Sequence, residues 1–76
     1  MSDLYNYWSS LNQSEREAFA ADSEFSVAYI NTHLIHRRKV PPLIALKRLA
    51  DASNGELTYH GLCDFFIDGL VQAEEA

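Results

Sequence analysis

The sequence predicts an all-α fold, a compact bundle of about five short helices. Three observations predict it. Apolar residues recur at helical spacing in five separate stretches. Cap residues and prolines punctuate those stretches, and no segment alternates convincingly as a strand does. Glu56-Leu57-Thr58-Tyr59 is the one short piece with an extended pattern, and nothing obvious pairs with it.

The elements follow in order. Asp3 suits the N-cap of a first helix through about Leu11, with Leu4, Tyr7, Trp8 and Leu11 on one face. Ser14-Glu15-Arg16-Glu17 reads as a capping box that opens a second helix over about 15–22, with Ala18, Phe19 and Ala21 apolar. Ser26 suits the cap of a third helix over about 27–35, carrying Val27, Tyr29, Ile30 and Leu34. Pro41 and Pro42 fit the first turn of a fourth, where a missing N–H costs nothing. It runs through Leu43, Leu46, Leu49 and Ala50 and stops at Asn54-Gly55, with Gly55 in the left-handed C′ position. Thr58 caps a fifth helix through about Gln72, with Leu62, Phe65, Phe66, Leu70 and Val71 apolar. Gly61 and Gly69 each weaken that helix by ~1 kcal/mol relative to Ala.

With 76 residues, 47% of them hydrophobic, the chain makes one domain, 1–76, with one core. A chain this short buries only about 60% of its unfolded surface, so a partner subunit would help. The single cysteine, Cys63, excludes a disulfide framework. No apolar run approaches the ~20 residues of a membrane span. The opening residues lack a signal-peptide pattern, so the expected setting is cytoplasmic, in a bacterium or an infected host cell.

The net charge of −5 argues against nucleic acid as a partner. Its distribution argues otherwise. Residues 1–28 carry −4, residues 29–50 carry +5 and residues 51–76 carry −6. The positive block holds Arg37, Arg38, Lys39, Lys47 and Arg48, with no acid among them.

Helices two and three, separated by a three-residue turn and followed by a basic loop, have the layout of a helix-turn-helix DNA reader. Ala20 is the small residue where the two helices touch, and Phe19, Phe25 and Ile30 lie beneath them. Ser26, Val27, Ala28, Asn31 and Thr32 are the candidate base-reading residues. An Asn can pair bidentately with adenine, and a Thr offers a hydroxyl and a methyl. His36, Arg37, Arg38 and Lys39 follow as candidate phosphate contacts.

Residues 19–62 resemble the YdaS-like members of the Cro/repressor helix-turn-helix superfamily, small regulators of phages, prophages and some toxin–antitoxin loci. The resemblance rests on Ser26-Val27-Ala28-Tyr29-Ile30, Arg38-Lys39-Val40-Pro41-Pro42, Ile44-Ala45-Leu46-Lys47-Arg48-Leu49 and Asn54-Gly55-Glu56-Leu57-Thr58. It implies an all-α fold and binding to double-stranded operator DNA, as a homodimer. Three positions depart from the pattern: Glu24 stands where the turn carries Gly, His33 replaces an aliphatic residue, and His36 replaces a small one.

The remaining chemistry-bearing residues have structural readings. His33, His36, His60 and Cys63 form two i,i+3 pairs, but the gap between the pairs fits no common zinc finger. The expectation is no metal and no cofactor, with His33 partly buried, His36 exposed and Cys63 buried. Tyr5, Tyr7 and Trp8 can stack bases, although their helical spacing points to the core. Phe65, Phe66, Leu70 and Val71 exceed what one helix of a small domain needs to bury, which suggests a dimer contact. No nucleophile sits in a motif beside a base, so no enzyme is expected. The expected function is a sequence-specific transcriptional regulator. The alternative is a protein-interaction module on the same scaffold, an antirepressor or antitoxin that binds a partner protein.

Overall fold

Five α-helices and one π-helical turn, with no strand among the described residues, form this protein. The computed structural model describes residues 3–75, with side chains described through Leu70. The elements are α1 (Leu4–Ser10), α2 (Gln13–Asp22), α3 (Val27–Tyr29) continuing into a π turn (Ile30–Leu34), α4 (Leu43–Ala52) and α5 (Tyr59–Glu75). The Cα radius of gyration is 11.7 Å, close to the ~11 Å of a compact chain of this length.

Caps set most of the boundaries. The Asp3 carboxylate accepts from the Asn6 N–H at 2.8 Å and starts α1 as expected. α2 starts two residues earlier than the Ser14 reading predicts. Asn12 is its N-cap, its side chain accepts from the Glu15 N–H at 2.8 Å, and Glu15 reaches back to the Asn12 N–H at 2.9 Å. Asn-x-x-Glu thus makes the reciprocal pair attributed to Ser-x-x-Glu, because Asn presents an equivalent acceptor. The buried face also differs from the expected one: Phe19 and Ala20 are buried, whereas Ala18 and Ala21 are exposed. Pro42 is the N-cap of α4, Pro41 is buried just before it, and Ser53 is the C-cap. Asn54, rather than Gly55, takes the left-handed C′ position, at φ 55°, and Gly55 follows at φ 92°. Ser53 secures this corner. Buried, it donates to the Ala50 carbonyl at 2.7 Å and accepts from the Leu57 N–H at 2.8 Å.

The core is one cluster drawn from every helix. Leu4 and Trp8 enter from α1, Phe19 and Ala20 from α2, and Ile30, Leu34 and Ile35 from the third helical segment and its end. Leu46 and Leu49 enter from α4, and Leu62, Phe65 and Phe66 from α5. Tyr7 is half-buried, edge-on to Phe19 at 5.2 Å. Burial, then the nearby Glu56 and Glu15 carboxylates, push its phenol above the usual range. Tyr5 does not join the core; it is exposed. Cys63 is half-buried and packs on the cluster.

Phe65 and Phe66, expected at a dimer contact, are instead mostly buried within the chain, edge to face at 5.1 Å, with Phe66 reaching the floor of a hollow between α4 and α5. The 100° step per residue puts them on the α5 face that α4 covers. Leu70 remains exposed, and the Val71 side chain lies outside the described residues.

Candidate nucleic-acid interface

The α2–turn–α3 unit is built from backbone geometry. Ser23 is the C-cap of α2, and its buried hydroxyl donates to the Phe19 carbonyl at 2.8 Å and lies 3.2 Å from the Ala20 carbonyl. The Phe25 N–H bonds the Ala20 carbonyl and the Glu24 N–H bonds the Ala21 carbonyl, at 2.9 and 3.1 Å. These two bonds form a Schellman motif, in which the C′ residue is left-handed. Glu24 is that residue, at φ 64°. The turn therefore keeps its geometry without glycine. Arg48 supports it from α4: its Nε lies 3.4 Å from a Glu24 carboxylate oxygen and 3.4 Å from the Ser23 carbonyl.

Left-handed backbone costs a non-glycine residue about 1–2 kcal/mol, while a solvent-exposed ion pair returns about 0–1 kcal/mol. Glu24→Gly is therefore expected to raise stability by up to about 1 kcal/mol after the greater flexibility of glycine is counted. A urea-denaturation midpoint checks it, and a lower midpoint would contradict the strain.

Ser26 caps α3, its hydroxyl accepting from the Tyr29 N–H at 3.0 Å. The helix then widens, and the Ile35 N–H reaches the Ile30 carbonyl at 3.1 Å. This π turn lets Ile30, Leu34 and Ile35 all point inward. It leaves Ala28, Asn31 and Thr32 exposed at i, i+3 and i+4, beside exposed Ser26. Val27 departs from the expected base-reading set. It is half-buried against the core, because it steps 100° away from Ala28 toward α2. Asn31 is exposed, and its Oδ1 accepts from the Trp8 indole N–H at 3.3 Å. The bond to the α1 indole orients the side chain and leaves its Nδ2 without a partner among the described residues.

Half-buried Phe25 stacks on Tyr29 at 5.5 Å, and Tyr29 meets half-buried His33 edge-on at 5.0 Å. His33 thus extends an aromatic row along the flank of the helix where an aliphatic residue was expected. Its Nδ1 is buried without a hydrogen-bond partner.

The basic run divides. A second Schellman motif ends the π turn, with the Arg38 N–H on the His33 carbonyl at 2.9 Å and the Arg37 N–H on the Leu34 carbonyl at 3.1 Å. Arg37 is its left-handed residue, at φ 57°. Its guanidinium lies over the Phe65 ring, 4.2 Å from the centroid. Its stem packs where a Cβ on Gly69 would stand, 2.6 Å from Arg37 Cδ. Arg37 is thus held against α5 rather than extended toward a phosphate, which corrects its expected role. His36 is exposed, its ring 6.4 Å from that of Tyr5, and Arg38 and Lys39 are exposed.

Of the six cations, Arg16, Arg37 and Arg48 are engaged by the fold. Arg16 lies over the Trp8 ring at 5.2 Å and donates to the Trp8 carbonyl at 3.2 Å. Sequence spacing carries no sign of the Arg48–Glu24 or Arg37–Phe65 contacts, since each joins distant segments. Gly69 was the available clue: a glycine inside a helix marks a close approach. Among the described residues no three His, Cys, Asp or Glu side chains gather as a metal site requires. His60 lies 3.6 Å from Asp64, both exposed. Among the described residues no helix is long and apolar enough to cross a membrane.

The α2–turn–α3 unit thus presents an exposed polar strip, Ser26, Ala28, Asn31 and Thr32, on a capped helix, and exposed Arg38 and Lys39 follow it along the chain. Comparison of the chain with known protein families, with curated proteins and with solved structures finds no match.

Proposed function

We propose that this protein is a sequence-specific DNA-binding transcriptional regulator of phage or prophage type, Cro- or repressor-like. It binds operator DNA as a homodimer, with α3 and the π turn in the major groove. One observation carries the reading: the strip Ser26, Ala28, Asn31 and Thr32 is exposed, and so are Arg38 and Lys39, which follow it in the chain. Asn31 and Thr32 supply base-edge contacts, Ala28 contacts a thymine methyl, and the two cations hold phosphates. The resemblance to YdaS-like regulators supports the same reading. The acidic segments 1–28 and 51–76 then limit non-specific binding.

The test is a gel shift with DNA from upstream of the protein's own gene, repeated over a salt series. A specific, salt-sensitive shift is expected. Silence there, with a stable complex to a neighbouring gene product on pull-down, supports the alternative of a protein-interaction module, an antirepressor or antitoxin. The net charge of −5 is the observation that favours that second reading.

A further inference from the structure

The largest exposed side chains cluster away from α3. Leu43 is 68% exposed, Ile44 65%, Ile67 53%, Val40 50% and Leu70 49%. They belong to one feature. α4 and α5 pack against each other, and two hollows run along their seam. Val40, Leu43, Ile67 and Leu70 line one hollow; Leu43, Ile44, Lys47 and Tyr59 line the other. Leu43 belongs to both, so the two make one apolar groove. A small monomer gains nothing by leaving such a surface in water, and contiguous apolar patches of several hundred Å² mark interaction sites.

We infer that this groove binds a second copy of the chain about a two-fold axis. The rims favour that occupant. The α4 side carries Lys47, and Lys39 precedes Val40 at the groove mouth. On α5, one step around the helix from Ile67, lie exposed Asp64 and Asp68. One rim is basic and the other acidic, so the surface is self-complementary. A two-fold rotation sets each Lys rim against the partner's Asp rim while the apolar floors meet. The occupant such a groove requires is a helix with an i,i+3 apolar ridge flanked by acids, and Ile67-x-x-Leu70 with Asp64 and Asp68 is such a helix. An anionic membrane is opposed by the net charge of −5.

The inference rests on the proposed function and places its dimer surface; its test uses no DNA, so a failed groove leaves DNA binding to be judged by the gel shift alone. Sedimentation velocity across a concentration series is expected to give twice the 8.6 kDa chain mass. The double variant Leu43→Asp/Ile67→Asp is expected to weaken dimerisation by at least about tenfold. Its far-UV circular dichroism stays unchanged, because both residues are already in water. Lys47→Glu alone weakens the dimer, and adding Asp64→Lys and Asp68→Lys restores it. A monomer at every concentration overturns the inference. So does a dimer that survives Leu43→Asp/Ile67→Asp, or a triple charge reversal no better than Lys47→Glu.

Discussion

Trp8→Ala is expected to remove about 3–5 kcal/mol of stability, the cost of emptying a large aromatic site in a packed core. A 76-residue chain holds about 4–11 kcal/mol in total, so the variant stands at or near unfolding at room temperature. Trp8 is 1% exposed and carries more than its own area. Its ring packs on Phe19, its indole N–H donates to Asn31, and Arg16 covers its face. Trp8→Phe separates these contributions. The smaller ring keeps much of the burial but loses the donor, so a further cost of about 1 kcal/mol from the missing hydrogen bond is expected on top of the lost volume. Urea denaturation followed by circular dichroism measures both. Only the Ala variant should lose its cooperative transition. A fully cooperative Trp8→Ala protein would show that α1 is an appendage rather than part of the core.

The second large effect divides the basic run into two kinds of residue. Arg38→Ala/Lys39→Ala is expected to leave the urea midpoint unchanged and to flatten the salt dependence of operator binding. Each lost phosphate contact removes about 0.9 from the slope of log K against log salt, so the pair removes about 1.8. Arg37→Ala is expected to do the reverse. It loses the contact with Phe65 and the packing of its stem on α5, about 1–2 kcal/mol of stability, with the slope unchanged. Gly69→Ala disturbs the same contact from the other side, because its Cβ would stand 2.6 Å from Arg37 Cδ. If Arg37→Ala flattens the slope as much as Lys39→Ala does, the guanidinium leaves Phe65 to reach DNA, and the division fails.

Three helix ends share a device that the sequence did not announce. Glu24, Arg37 and Asn54 each occupy a left-handed position that glycine usually fills. Two of the three carry long charged side chains, and each of those is met by a distant partner, Arg48 for Glu24 and Phe65 for Arg37. At those two helix ends a contact from another helix partly offsets the strain. A reading that scans for glycine at C′ misses such ends. It placed Gly55, instead of Asn54, at the end of α4.

The sequence by itself determined the helical class, the number of helices and most caps, because capping and apolar periodicity act within four or five residues. Asp3, Ser26 and Thr58 each accept the backbone bond their position implied. It also located the exposed strip of the third helix apart from Val27. Tertiary structure decided the rest. It drew Phe65 and Phe66 inward and left Leu43, Ile44 and Ile67 exposed along the groove. It also assigned Arg37 and Arg48 to the scaffold and left Arg38, Lys39 and Lys47 in solvent. Those outcomes depend on which helix faces which. A chain with more apolar and charged side chains than any one helix requires does not encode that choice locally. It is settled when the five helices compete for a single core.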